Sequence, residues 1–299
     1  MVNGVINVYK EQGYTSHDVV AKLRGIIKQK KIGHTGTLDP MAEGVLPVCL
    51  GKATKLCDML TDKDKTYEAV LLLGVSTDTQ DTSGVILKES KVLATSDQIK
   101  EAILSFVGEY DQIPPMYSAL KVNGKKLYEL AREGIEIERK PRRIHIHQID
   151  ILDISEDLRE IKMVVSCSKG TYIRTLCYDI GELIGCGGCM KQLKRTQVSR
   201  FYVEDSLTLA QIEELQREDR LMEKVVLIED MFESFAKVIV AEEYTKLIHN
   251  GNQFKLEQCE VEEGQIISDN QVRVYDYEGS FIGIYQYTEE EFRPVKMFI

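Results

Sequence analysis

The sequence has no stretch apolar enough, over the roughly 20 residues required, to span a membrane. Its opening, MVNGVINVYK, has no basic start, no long apolar run and no small-residue cleavage site, so a cytoplasmic location is expected. No segment is low in complexity and no internal repeat is found, which argues against a disordered or solenoid protein. Cysteine is present but unpaired in pattern. Seven of them, an odd number, are scattered through apolar stretches (Cys49, Cys57, Cys177), as suits reduced core thiols rather than a disulfide framework. Cys186 and Cys189 form a CxxC, yet no second Cys or His pair follows at zinc spacing, so a tight Gly-rich turn is the reading there and no metal is expected. A phosphate-cradling GxxxxGK[ST] loop fails at Gly51-Lys52: Leu46 stands where the first glycine belongs and Ala53 where the hydroxyl belongs.

With 299 residues and ordinary apolar content, the chain is long enough for a catalytic core and a smaller domain. Its net charge of −10 disfavours a nucleic-acid partner until the distribution is considered. Residues 201–299 hold 9 Lys/Arg and 22 Asp/Glu, a net of −13, which leaves 29 minus 26, or +3, for residues 1–200. Basic residues of the first two thirds cluster at Lys28, Lys30 and Lys31; at Lys121, Lys125 and Lys126; at Arg139, Lys140, Arg142 and Arg143; and at Lys191, Lys194, Arg195 and Arg200. Local patches of this kind can follow a phosphate backbone even on an acidic protein, although each alone also reads as a solvated face.

The most informative segment is KIGHTGTLDPMAEGVLPVCLG, Lys31 to Gly51. Four glycines and two prolines exclude regular helix or strand through its first half and predict several sharp turns. Asp39 precedes Pro40 and is biased toward an extended backbone. Local grammar leaves two readings open: a carboxylate presented on a stiff loop with His34 nearby, or a cap for a helix starting at Pro40.

Elsewhere, residues 2–9 read as a strand, and Thr15 to Asp18 as the capped start of a helix with the stripe Val19, Val20, Leu23, Ile26 and Ile27. A buried strand is expected over Gly44–Leu50, a helix over Ala53–Leu60, and a long strand with Tyr67 near its start over Thr66–Val75. Residues 97–107 are helical by spacing. A basic, irregular excursion opens at Pro114-Pro115 and carries a short helix over Lys125–Arg132; such an excursion usually binds something. Arg143–Ile154 and Glu160–Ser168 read as paired strands, Thr171–Ile184 as a helix, and Leu209–Arg217 as an acidic helix. Arg174 sits at a helix N-terminus, where acids are favoured, so it has an anionic partner elsewhere or snorkels along the helix face. From residue 237 on, short strands and turns suit a small β-rich domain.

Five blocks in order, GHTGTLDPMAEGVLPVCLG, DKTYEAVLLLG, PPMYSALKVNGKKLYELAREG, SKGTYIRTLCYDIG and LKRTQVSRF, resemble the bacterial tRNA pseudouridine synthases of the TruB type over essentially the whole chain. The resemblance implies an α+β fold: a pseudouridine synthase catalytic domain over residues 1–236, with a mainly antiparallel mixed sheet flanked by helices, and a β-barrel-like PUA module over 237–299. It implies isomerisation of the uridine at position 55 in the T-arm of tRNA, without cofactor or metal and with no obligate protein partner. Asp39 resembles the nucleophile and Arg174 the arginine paired with it. Tyr67 resembles the tyrosine that stacks on the flipped base and helps remove a proton from it, at about 1–3 kcal/mol per stacked base. His34 resembles the residue that fills the space left in the RNA loop, and Leu193 one that lines the base pocket. Tyr172 and Lys121 belong to the blocks expected to touch substrate, Lys121 at phosphate, and residues 112–143 correspond to an insertion that clasps the T-arm. Two departures stand beside the pocket: Ser199 where glycine is usual, and Lys194 where arginine is usual. An RNA-guided synthase within a ribonucleoprotein and a noncatalytic RNA-binding protein are the competing readings.

Overall fold

The computed structural model describes residues 1–122, 124–261 and 270–299. Its backbone is a ten-stranded sheet whose main path runs Val225–Val226, Gly4–Lys10, Glu43–Leu50, Gly188–Val198, Lys65–Leu73, Glu160–Cys167, Arg142–Ile154, Gly108–Gln112. Every pairing in it is antiparallel except one: Gly188–Val198 runs parallel to Glu43–Leu50 through Lys194 opposite Glu43 and Arg195 opposite Gly44. Thus a strand made late in the chain is wedged between two made early. The α+β class and the mainly antiparallel mixed sheet are as expected.

The two halves of the sheet bury their residues differently. Lys65–Leu73 alternates between buried and half-buried positions. Its inner face, with Tyr67, Leu71 and Leu73, packs under the helices Ser96–Leu104 and Ile173–Ile184 through Ile99, Ile103, Leu176 and Ile180. Glu43–Leu50 is buried on both faces, which is why its sequence is a continuous apolar run. One face, with Leu46, Val48 and Leu50, lies under Ser16–Ile27 and Leu209–Arg217. The opposite face, with Val45 and Cys49, meets Leu56, Phe201 and Phe232. Ser16–Ile27 begins as its sequence predicts: Thr15 accepts from the backbone of Asp18, whose carboxylate accepts in return from Thr15.

Two local expectations are corrected. Regular structure is not excluded from the first half of the 31–51 segment, because Ile32–His34 forms a short strand against Val48–Leu50. Gly33 serves close approach there rather than a turn: a Cβ would lie 3.0 Å from the Cys57 sulfur. The expected helix over Ala53–Leu60 is split into a 3-10 turn, Gly51–Leu56, and a helix, Cys57–Thr61.

A second, barrel-like sheet of six strands follows in the order Phe254–Lys255, Glu291–Met297, Phe281–Thr288, Gln271–Tyr275, Ala236–Val240, Cys259–Val261. Part of the expected run of short strands, residues 262–269, lies outside the described residues. The second sheet has its own core, including Val238, Ile248, Phe254 and Tyr285. It is also seated on the first, since Ile284 and Phe298 join the cluster under Val45 and Cys49, and Lys55 Nζ donates to the Met297 carbonyl at 2.8 Å. Among the described residues no helix is long and apolar enough to cross a membrane.

Candidate active site

The loop that carries Asp39 is tied down on both sides. Thr35 donates from backbone and hydroxyl to the Pro47 carbonyl, at 3.2 and 3.1 Å. Leu38 N donates to Ser16 Oγ at 2.9 Å, Gly13 N to the Pro40 carbonyl at 2.8 Å, and Ala42 N to the Asp39 carbonyl at 3.0 Å. The last bond closes a turn and the chain enters a strand at Glu43, so no helix starts at Pro40. The capping reading of Asp39 therefore falls. Its carboxylate has another partner.

That partner is Arg174, in the first turn of Ile173–Ile184, with its side chain 5% exposed against 36% for Asp39. Arg174 Nε lies 2.9 Å from Asp39 Oδ2, while Nη2 reaches Oδ1 only at 3.5 Å. Nη1 donates to the Thr79 carbonyl at 2.8 Å and stands 3.7 Å from Asp81 Oδ2; Nη2 donates to the Tyr117 carbonyl at 2.7 Å. One buried guanidinium thus ties together the Asp39 loop, the turn around 79–81 and the start of the basic excursion. The planar fork of arginine can meet several acceptors at fixed angles, whereas lysine offers a single point charge. The reading of Arg174 as a snorkelling side chain falls with this geometry.

Asp81 does not stand out in the sequence. It is buried, and its Oδ1 accepts from Thr79 Oγ1 at 2.8 Å and from Ser83 N and Oγ at 3.0 and 2.5 Å, leaving Oδ2 toward Arg174. The available signal is the acid-rich, hydroxyl-rich turn TDTQDTSG, which reads locally as an ordinary Asx turn.

Leu38 and Ala42, on either side of Asp39, share one buried apolar cluster with Tyr67, Ile173 and Leu193. Tyr67 is only 7% exposed, and burial pushes its hydroxyl up to about 12, with the Arg195 guanidinium pulling the other way. His34 ends the strand Ile32–His34, half-buried, its Nδ1 3.4 Å from Gly36 N and its ring edge-on to His17 at 5.5 Å. Burial, then the charge of His17, lowers its pKa. Tyr172 precedes the Arg174 helix and exchanges two backbone bonds with the Gln112 amide, at 2.8 and 3.0 Å. Asp39, Arg174, Tyr67 and Leu193 are therefore gathered at one place, with His34 and Tyr172 on the flanking segments. Lys121 is apart from them, exposed on a two-residue strand paired with Lys125–Lys126.

The basic clusters fare unequally. Arg195 is 1% exposed and cannot follow a phosphate backbone, so its membership of a surface patch is corrected. In the same group Lys191 is paired with Glu160 and Arg200 with Glu233. Arg143 is held by Glu109 and Asp111, which offsets much of its charge. Lys10, also absent from the sequence reading, is fully buried; its Nζ donates to the Tyr14 and Glu11 carbonyls at 2.7 and 3.1 Å, and burial lowers its pKa to about 8, opposed by the Asp39 charge. Cys186 and Cys189 are buried, and no group of three metal-ligating side chains occurs among the described residues.

Family models supply the decisive match. Residues 24–173 match the N-terminal domain of TruB family pseudouridylate synthases, and residues 174–233 match the tRNA pseudouridylate synthase B C-terminal domain. The chain belongs to the TruB family. A tRNA pseudouridine synthase B of Lachnoclostridium phytofermentans is 57% identical over 307 residues, covering 100% of both chains. One of Clostridium kluyveri is 45% identical over 298 residues, again covering 100% of both. Among solved structures, a Cbf5-Nop10-Gar1 complex contains a chain of the same fold, with a TM-score of 0.73 and 26% identity over 99% of this chain and 85% of that one. Four of the five blocks of this sequence hold the gathered residues, in the Asp39 loop, the Tyr67 strand, the Arg174 helix and the Leu193 strand; the remaining block carries Lys121, which lies apart.

Proposed function

We propose that this TruB family member converts uridine to pseudouridine at position 55 in the T-loop of tRNA, with Asp39 as nucleophile toward a flipped base. What supports the reading most is a carboxylate held at 2.9 Å by a buried arginine beside a buried tyrosine, on a loop pinned to three other segments. The reaction is an isomerisation: the bond from ribose to uracil N1 breaks, a bond from ribose to C5 forms, and one proton leaves C5 as N1 gains one. Nothing is added or lost, so no cofactor is required. A nucleophile that holds a severed fragment keeps the base from escaping while it rotates.

In this reading Arg174 keeps Asp39 oriented and offsets its desolvation once RNA covers the site. Tyr67 stacks on the extruded base and takes part in proton removal, Leu193 lines the base pocket with Tyr172 beside it, and His34 occupies the gap in the RNA loop. Residues 1–236 form the catalytic domain, in which about 112–143 clasp the T-arm with Lys121 at phosphate. Residues 237–299 form a PUA-like RNA-binding module. The enzyme works alone in the cytoplasm.

Incubation of the purified protein with an unmodified tRNA transcript, followed by pseudouridine mapping, tests this. One modified site in the T-loop is expected for wild type and none for Asp39→Ala, with tRNA binding retained. An active Asp39→Ala removes the proposed nucleophile, and wild-type inactivity without guide RNA or added protein shifts the reading to a ribonucleoprotein enzyme.

A further inference from the structure

Arg195 is one of the largest fully buried side chains among the described residues, and it has no carboxylate among them within ion-pair distance. Guanidinium groups in that position are costly: charge removed from water is normally balanced by an anion or by a full set of acceptors. Here Nε donates to the Val45 carbonyl at 2.7 Å, while Nη2 has no hydrogen-bond partner. Its cross-strand neighbour is Tyr67, whose hydroxyl acts electrostatically on the guanidinium.

Their meeting is built into the sheet. Tyr67 and Arg195 are direct cross-strand partners between Lys65–Leu73 and Gly188–Val198, so both side chains leave the same face at the same level. A register irregularity immediately follows Arg195, where pairing skips from Tyr67–Arg195 to Thr66–Gln197. On its other edge Arg195 pairs with Gly44, where a Cβ would collide with the Arg195 carbonyl. Gly36 of the Asp39 loop passes over the guanidinium, its missing Cβ 3.8 Å from Nη1. Arg195 therefore sits beneath the loop of the proposed nucleophile and against the proposed stacking tyrosine, touching solvent at neither.

Arginine only donates hydrogen bonds. Of the two groups only the Tyr67 oxygen can accept, so a hydrogen bond from Arg195 would turn the hydroxyl proton away from the guanidinium and withdraw electron density from the O–H bond. We propose that Arg195 is a positioning residue for the pseudouridylation chemistry, fixing the tilt of the Tyr67 ring and polarising its hydroxyl for proton exchange with the base. The unused Nη2 leaves the guanidinium with a donor to spare for an oxygen that gains negative charge. This rests on the role given to Tyr67 above, and the two can fail separately.

The test is a double-mutant cycle on single-turnover pseudouridine formation, with tRNA affinity measured in parallel. Arg195→Met should slow the rate at least about tenfold while tRNA affinity stays within about twofold, and Arg195→Lys, which keeps the charge without the fork, should recover part of the loss. In a Tyr67→Phe background, Arg195→Met should change the rate by less than about twofold, because its target is gone. Full multiplication of the two effects, or a loss carried by affinity alone, overturns the proposal. Wild-type rate in Tyr67→Phe alone instead overturns the role of the Tyr67 hydroxyl. Should Arg195→Met not fold, the same cycle with Arg195→Lys decides: its effect on the rate must shrink in the Tyr67→Phe background, and an undiminished effect there overturns the proposal.

Discussion

Arg174 stands between two carboxylates and treats them unequally: its Nε touches Asp39 at 2.9 Å, whereas its Nη1 stays 3.7 Å from Asp81. The nearer acid is part exposed and the farther one buried. The farther one is saturated on its other oxygen by Thr79 and Ser83, so Arg174 is shared without being claimed.

The first expectation concerns that sharing. Arg174→Lys retains a positive charge but cannot reach Asp39 and the Thr79 and Tyr117 carbonyls together. Losing a fixed, buried, charge-assisted contact of about 3–4 kcal/mol in the transition state corresponds to roughly 10²–10³ in rate. Single-turnover release of the C5 hydrogen from labelled tRNA should show this loss, with tRNA affinity little changed.

Asp81→Asn should behave differently. The amide oxygen can still accept from Thr79 and Ser83, so the turn survives, but the second negative charge beside Arg174 disappears. Arg174 is then drawn more strongly to Asp39, and the carboxylate is less free for the nucleophilic role proposed for it. A rate loss of about tenfold (~1.4 kcal/mol) is expected, with an unchanged melting temperature.

Buried lysines make stability depend on alkaline pH. Burial lowers Lys10 and Lys65 to about 8 from ordinary values near 10.5. Between those values the unfolded chain binds more protons than the folded one, so unfolding free energy rises with pH from about 8 toward 10.5. Below 8 both forms are protonated and the cost of burying the charges is fully present. Melting temperatures of wild type should therefore gain on Lys65→Met as pH is raised through this window; parallel curves for the two proteins would contradict it.

Ser199 adopts a left-handed backbone with φ of 52°, where a side chain is strained and glycine is not. Ser199→Gly should raise stability by about 0.5–1 kcal/mol, less the extra freedom glycine gives the unfolded chain, and so raise the melting temperature by about 1–3 °C. Scanning calorimetry with activity unchanged is the check. The glycine expected at this position from the family resemblance would thus have a backbone reason.

Asp39, Tyr67 and Arg174 are legible in the sequence because each sits in a distinctive local block, and the large elements are legible through their apolar periodicity. What is not legible depends on pairing across the sheet. Arg195 reads as part of a basic surface patch because only the register with Tyr67 and Gly44 shows that it is covered. Gly33 reads as a turn residue because the close approach of Cys57 is a tertiary fact. Asp81 reads as a turn acid, since its second oxygen meets Arg174 from a helix far along the chain.

The wedged strand Gly188–Val198 also orders events in time. Glu43–Leu50 and Lys65–Leu73 are neighbours of that strand and not of each other, so they cannot settle into the finished sheet until it has been synthesised. Long-range pairings of this kind form late and slowly. During translation the loop of Asp39 and the ring of Tyr67 must wait, unjoined, for Leu193 and Arg195 to emerge from the ribosome. A chain broken off before that strand would carry the Asp39 loop and the Tyr67 strand without the element that joins them.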